Sequence, residues 1–494
     1  MLFSMGVSLY TSRIVLATLG IEDFGIYNVV GGVVAMFSFL NSTLSSGTQR
    51  FLTFQLGKND FIELKKTFSA ALNTHIFLAI IILLLAETIG LWFLKTKINI
   101  SIGRENAAMW VYQFSIFTAM LSIIQVPYNA SIIAHERMNI YAYISIIEVV
   151  LKLLIVYLLS ISGYDKLITY AVLIFVVSVV VMSIYRIYCI KQYNECRLGW
   201  VNDKQLYKSM LTFSGWNIFG CGAVIGATQG VNIILNLFFG TVVNAARGIA
   251  VQVSNAITSF INNFQTAVNP QIVKLYAAGK TAELYTLLFQ NAKFSFSLMW
   301  LLLLPVLLKL EIILKIWLVE VPEYTALFCR LILLQSLIFC TQRPFVMAIH
   351  AIGKMRIINL TSGIVLLSVL PVSYILLKMG SPVYIPFIVY IVASIMTSSI
   401  ELYFLKKWIE LPLMNLVKKV YLPIINVVVI SLPISLTVNH FSEQNIPSFL
   451  YVSTIAVLLV SGSVYHIVLS KEMRNKILKK IGFIFSRSKQ KIRK

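Results

Sequence analysis

The chain has 494 residues, 58% of them hydrophobic and only 12% charged, with a mean hydropathy of +0.84. Soluble globular chains carry about 25% charged residues, so a soluble protein of this length would lack the polar groups to cover its surface and is excluded. The net charge of +22 belongs to the loops that orient membrane helices, not to a nucleic-acid partner.

Residues 1–19 form an apolar run without the basic region and small-residue cleavage site of a signal peptide. The run reads as a first spanning helix lacking its cytoplasmic flank, as a start codon placed slightly too far downstream would leave it. A span needs about 20 apolar residues. Fourteen such runs are predicted: 2–19, 26–48, 69–94, 108–134, 141–162, 167–190, 210–238, 243–272, 288–314, 325–351, 357–379, 383–405, 420–438 and 446–469. No interruption is long enough for a folded soluble domain, and the polar tail 470–494 is the one long segment that does not span.

Lysine and arginine set the orientation. With the N-terminus in the cytoplasm, 29 of the 41 basic residues fall on the cytoplasmic side and 9 on the outer side. Both ends are therefore expected in the cytoplasm. The tail carries ten basic residues against Glu472, the pattern of a topology anchor that touches anionic membrane lipid. Arg13, Lys152 and Arg343 fall well inside predicted helices. The five cysteines (189, 196, 221, 329 and 340) read as small buried hydrophobes. Neither a CxxC pair nor a Cys/His cluster occurs, so no metal and no cofactor is expected.

An internal repeat defines the architecture. At an offset of 217, 15 of the 50 positions from 125 to 174 are identical, including Gln125/Gln342, Pro127/Pro344, Met138/Met355, Tyr157/Tyr374 and Gly163/Gly380. An offset of 220 continues the match upstream through Gly20/Gly240, Glu63/Glu283 and Lys95/Lys315. The expected fold class is an all-α integral membrane protein of about 14 transmembrane helices. Two parallel six-helix bundles repeat about an axis along the membrane normal, and two C-terminal helices follow. The divisions are 1–208, 209–410, 411–469 and the tail 470–494.

The charges inside the membrane are the functional candidates, because an ion at the bilayer centre costs about 3 kcal/mol or more. The repeat filters them: Lys152 maps to Val369, Glu148 to Val365, Arg343 to Val126 and Glu87 to Leu307, so each is private to one half. Glu148 and Lys152 stand four apart on one helix face in the favourable order. They form either a structural ion pair or a switchable one. In the second case the lysine is released to an anionic substrate, or the glutamate takes a coupling proton. Arg343 beside Pro344 is placed where a broken helix frees its carbonyls. Arg247 faces the same cavity or serves as an interfacial anchor. Glu87 takes a coupling proton or marks the outer end of the third helix. Glu22 and Asp23 read as solvated loop charges, and His75 as a hydrogen-bonded helix contact. The small-residue stretch Gly220, Cys221, Gly222, Ala223, Gly226, Ala227 allows either close helix packing or a hinge.

Two six-helix bundles in parallel repeat with two extra helices resemble the MATE/MOP exporter superfamily. The stretches Leu9, Tyr10, Thr11, Ser12, Arg13, then Leu19, Gly20, Ile21, Glu22, Asp23, Phe24, Gly25, then Ser45, Ser46, Gly47, Thr48, Gln49, Arg50 are similar to the opening of bacterial Wzx-like polysaccharide flippases. In place of the late arginine pair of lipid II flippases stand Leu40, Asn41 and Ser42. The resemblance implies a non-enzymatic flippase in the bacterial inner membrane. Its cargo would be an undecaprenyl-diphosphate-linked oligosaccharide for O-antigen, capsule or another surface polysaccharide. It further implies H+ or Na+ as a coupling ion, membrane lipid as a neighbour and glycan-assembly proteins as partners. Arg13 matches the family pattern best and either faces the substrate, where with Lys152, Arg247 and Arg343 it would bind the diphosphate through charge-assisted hydrogen bonds, or snorkels to the outer interface. Glu87 and Glu148 would serve ion coupling. The alternative is a cation-coupled multidrug exporter of the MATE type, which calls for an acidic cavity. A membrane enzyme of glycan assembly is disfavoured, since the outer loops are short and no nucleophile or phosphate-loop motif occurs.

Overall fold

The computed structural model describes residues 38–97, 103–197, 199, 201–318, 321–443, 445–471 and 473–475, with 11, 14, 15, 18–20, 23, 26 and 27 ahead of them. All regular structure among the described residues is helical. In chain order the helices are α1 (Ser38–Lys58), α2 (Phe61–Leu85), α3 (Leu91–Lys97), α4 (Glu105–Ala134), α5 (Met138–Ile161), α6 (Lys166–Gln192), α7 (Lys204–Phe239) and α8 (Thr241–Ala277). There follow α9 (Thr281–Leu308), α10 (Leu310–Trp317), α11 (Thr325–Ile352), α12 (Met355–Lys378), α13 (Ile385–Ile409), α14 (Leu413–Leu416), α15 (Leu422–His440) and α16 (Ile446–Ser463). Three π-helical turns interrupt or extend them at Ala86–Gly90, Val417–Tyr421 and Val464–Val468.

Local chemistry sets the helix starts. Asp60 accepts from the Glu63 N–H at 3.0 Å and starts α2. Asp165 accepts from the N–H groups of Leu167 and Ile168 and starts α6. Asn445 and Ser448 form a reciprocal capping box at the head of α16. Several helices extend past the predicted apolar runs. The run 69–94 belongs to a helical stretch from Phe61 to Lys97, the run 288–314 starts instead at Thr281, and the run 420–438 starts at Leu413. The added turns bring in Glu63, Lys65, Lys66, Glu283, Lys418 and Lys419, charges that suit the headgroup region beyond the hydrocarbon.

Among the described residues, eleven helices are long and apolar enough to cross a membrane. The chain is a multi-pass helical membrane protein. Of the fourteen predicted spans, the first lies mostly outside the described residues, and the second is described from Ser38 onward. The eighth forms α8, which is helical but too polar to be one of the eleven.

The helix register follows the repeat. Helices α5 and α12 begin at Met138 and Met355, and end at Ile161 and Lys378, both ends offset by the 217 residues of the sequence match. Helices α2 and α9 begin at Phe61 and Thr281, offset by 220. The left-handed turns recur in the same register, at Gly20 and Gly240 (φ 80° and 79°) and at Glu136 and Gly353 (φ 60° and 86°).

Two compact units divide the chain. One comprises 1–221 with 273–279, the other 222–272 with 280–494, so the first boundary falls inside α7, past the division at 208 read from the sequence. In the first unit α4 packs against α1, α2 and α6. Its core holds Leu52, Leu64, Phe68, Tyr128, Ile132 and Cys189, with Phe68 and Tyr128 edge-to-face at 5.4 Å. In the second unit α12 packs on α13, and α9 on α11, α15 and α16. Its core holds Val231, Leu235, Phe328, Val369 and Phe387, with Phe328 and Phe387 4.5 Å apart. Two glycines of α7 lie close to neighbours there, while a Cβ on Gly222 would meet nothing within 4 Å. A Cβ on Gly230 would lie 2.4 Å from Cδ2 of Leu370, and one on Gly226 3.4 Å from Cδ2 of Leu367.

Candidate functional site

Helix α5 carries the clearest departure from simple packing. At 100° per residue, Tyr143, Ile147, Val150, Leu154, Tyr157 and Ile161 form one exposed apolar stripe, as a lipid-facing surface requires. The opposite face runs through Ile144, Glu148, Lys152, Ile155 and Leu159. Ile144, Ile155 and Leu159 are buried, yet the Lys152 and Glu148 side chains between them keep 46% and 38% of their exposure. The inward face of α5 therefore opens at its charged pair. Lys152 Nζ donates to Glu148 Oε1 at 2.6 Å. At the equivalent point of the second unit, Val369 is completely buried in the core. One half packs where the other holds an accessible ion pair.

Glu87 sits in the first π-helical turn, half-buried, and accepts from Gln113 Nε2 at 3.3 Å. The wide turn has a visible cause. The Tyr112 hydroxyl donates to the Ala86 carbonyl at 2.7 Å, and Gly90 makes room for it. A Cβ on Gly90 would lie 2.2 Å from that oxygen. π-Helical turns recur at functional positions.

In the second unit the polar surface belongs to α8. Gln252, Asn255 and Asn262 lie on one exposed face together with Gly248, while Val253, Ile257 and Ile261 turn inward. An exposed amide stripe on a helix suits water rather than lipid. Arg343 of α11 donates to the Asn262 side chain and lies 5.5 Å over the Phe339 ring. Pro344 does not break α11, contrary to the expectation from sequence. It removes the N–H that would reach the Cys340 carbonyl, and Gln265 Nε2 of α8 fills that position at 2.8 Å while also reaching Ser295 Oγ at 2.9 Å. Ser254 and Ser336 add a further bond of 2.9 Å between the same two helices.

Arg247 lies fifteen residues before Asn262 on α8 and is half-buried. Its Nη2 donates to the Thr228 carbonyl of α7 at 2.7 Å, and its Nε has no hydrogen-bond partner. That bond ties it to α7 within the second unit. Arg13 lies outside the described residues, as does Glu22. The structure thus joins Glu148 to Lys152, Arg343 to Asn262 and Glu87 to Gln113, as separate pairs.

Two further expectations resolve differently. Asp23 is not a solvated loop charge: its side chain is 15% exposed and clasped by Arg104, which also donates to Asp165. These partners are far apart in sequence, so the clasp carried no local signal. His75 is hydrogen-bonded, but within its own helix and not to a neighbouring one: its Nδ1 lies 2.8 Å from the Ala71 carbonyl of α2. Asn262 and Gln265 are polar side chains beside Arg343 that a search for charges passes over. Their signal was the polar stripe of 3.6-residue period through 244–269. Among the described residues no three His, Cys, Asp or Glu side chains gather as metal ligands would.

No protein-family model matches the chain, and no curated protein matches it. Solved structures do. A MATE transporter in its bent conformation superposes with a TM-score of 0.68 at 14% identity over 82% of this chain and 92% of that one. An outward-facing multidrug resistance MATE family transporter of the MOP superfamily gives 0.66 at 16% identity over 83% and 94%. A MOP superfamily transporter from Pyrococcus furiosus Vc1, described by the reversed polarity of its binding pocket and a different suggested function, gives 0.64 at 15% identity over 84% and 93%. The chain has the fold of MATE/MOP transporters.

Proposed function

We propose that the chain is a transporter working by alternating access, and that its cargo is an undecaprenyl-diphosphate-linked oligosaccharide. It would be moved from the inner to the outer leaflet of the bacterial inner membrane, with both chain ends in the cytoplasm. The observation that carries this reading is Lys152: an ammonium on the inward face of α5, reachable although its flanking residues are buried. Arg343 on the amide stripe of α8 supplies a second reachable cation. A diphosphate needs such donors, because charge-assisted hydrogen bonds compensate its lost hydration. Sugar hydroxyls match the neutral donors and acceptors of Gln252, Asn255 and Asn262. Binding and release suffice, and no covalent step is assigned. A pocket of reversed polarity in a protein of the same fold supports reading pocket charge as the guide to cargo.

The same fold also accommodates a cation-coupled multidrug exporter. Glu87 in its π-helical turn and the exposed Glu148 favour that reading, as acids for a coupling ion or a cationic drug. A deletion strain separates the two. Loss of surface glycan with unchanged drug susceptibility is the expected result. Intact glycan with drug hypersensitivity would replace the first reading by the second.

A further inference from the structure

The acids of the spanning helices do not share one environment. Glu148 meets Lys152 and Glu87 accepts from Gln113, whereas Glu401 of α13 has no such partner. Among the described residues, none forms an ion pair with its carboxyl or donates a hydrogen bond to it. The predicted run 383–405 put Glu401 near its inner end, but α13 continues to Ile409 and carries it about 12 Å inside the helix. At 100° per residue Glu401 falls in line with Ser394, Thr397, Ser398 and Leu405, all buried. Opposite lie Val392, Met396 and Tyr403, exposed at 50%, 51% and 61%. Glu401 therefore points inward, away from lipid, and is only half-buried between residues that are buried. At the equivalent position of the first unit, 217 residues earlier, Ile184 packs against the core.

The neighbours supply no counter-charge. The hydroxyls of Ser394, Thr397 and Ser398 donate to carbonyls of α13 itself. Helices α11 and α12 pack against α13. On α11 the titratable groups along this stretch are Cys340, Arg343 and His350, with Arg343 bonded to Asn262. On α12 they are Arg356 and, at the other end, Lys378; Lys354 just ahead lies 5.2 Å over the Trp408 ring, seven residues past Glu401. Tyr285 of α9 donates to the Ile409 carbonyl, and Lys406 and Lys407 are on the exposed side of α13. A lone carboxylate turned inward in a membrane is costly and is neutralised by taking up a cation. A proton needs a single oxygen, which Glu401 offers.

We propose that Glu401 is a proton-binding site of the transport cycle, neutral while the inward face of α13 is sealed and ionised when that face opens to water. The proton comes from water on one side of the membrane and returns to water on the other, and no bond of the cargo changes. The inference rests on the transporter reading and assigns its coupling group. Glu148 and Glu87 suit that task less, because Lys152 and Gln113 stabilise their ionised forms.

The test uses the full-length protein reconstituted in liposomes. Infrared difference spectra between acid and alkaline buffer, without cargo, read the C=O band of protonated carboxyl groups. Wild type should show a band that E401Q lacks and that E401D displaces, so the shift in E401D assigns the band independently of the neutral variant. Spectra of E401Q and E401D identical to wild type overturn the site, and loss of the band on adding sodium at constant pH overturns the proton in favour of sodium. Translocation of a fluorescent undecaprenyl-diphosphate-linked oligosaccharide is then measured with the outer side about one pH unit more acid. For one proton per cargo, the translocated ratio should rise about tenfold in wild type and E401D and stay unchanged in E401Q. A full response in folded E401Q overturns coupling through Glu401. A wild-type protein that shows the band but moves no cargo would fail the cargo reading and leave the proton site supported.

Discussion

The side-chain amide of Gln265 donates to the carbonyl of Cys340 at 2.8 Å, the oxygen that Pro344 leaves without its helical partner. The bond joins α8 to α11 next to Arg343 and allows a proline inside a membrane helix without an orphaned carbonyl. It also fixes the helix turn from which Arg343 reaches Asn262.

Replacing Gln265 by Leu leaves the Cys340 carbonyl unpaired in a buried place. A loss of about 1–3 kcal/mol in stability is expected, the cost of an unsatisfied buried polar group. Adding P344A restores the missing N–H and should recover part of that loss. Thermal unfolding of the two single variants and the double variant measures the coupling, and strict additivity would dissociate Gln265 from Pro344.

Gly90 and Tyr112 form a second such relation. G90A drives a methyl group into the Tyr112 hydroxyl and should cost about 1–3 kcal/mol. Y112F removes the oxygen that the methyl would meet, so G90A–Y112F should be more stable than G90A alone. Unfolding temperatures in one detergent suffice for the comparison. A double variant no better than G90A would mean that the glycine serves something other than the π-helical turn.

The loop carboxylates predict the acid side of the stability curve. Burial by itself would raise the Asp165 pKa, but the Ile168 N–H and the Arg104 guanidinium outweigh it and hold the pKa below the ordinary carboxylate value. Burial likewise opposes Glu195, and its hydrogen bond to His135 at 2.6 Å outweighs it in the same direction. A carboxylate depressed in the fold contributes stability that is present above its unfolded pKa, about 4, and is lost as pH falls through the folded value. The unfolding temperature should therefore hold between roughly pH 7 and 5 and drop below about pH 4. D165N–E195Q, less stable at neutral pH, should show a smaller drop.

Charge and periodicity made part of this legible in advance. Glu148 and Lys152 interrupt an apolar run four residues apart, so their pairing could be read directly. The repeat placed the ends of α5 and α12 in one register because identical turn residues recur at one offset. Gln265 and Asn262 escaped because amides carry no charge and a ranking by desolvation cost passes over them. The Asp23, Arg104 and Asp165 clasp joins three turns distant in the chain, and no local pattern encodes such a meeting.

The central claim is that cations accessible from the inward helix faces hold the cargo, and proteoliposome transport tests it most directly. The wild-type, K152Q, R343Q and K152Q–R343Q proteins would be reconstituted with a fluorescent undecaprenyl-diphosphate-linked oligosaccharide, with thermal unfolding as the control for folding. Each lost charge-assisted bond of about 1.5–3 kcal/mol should slow translocation on the order of tenfold or more at equal stability, and the double variant should be slower still. Wild-type translocation by a folded K152Q–R343Q protein would contradict a cationic path for the cargo.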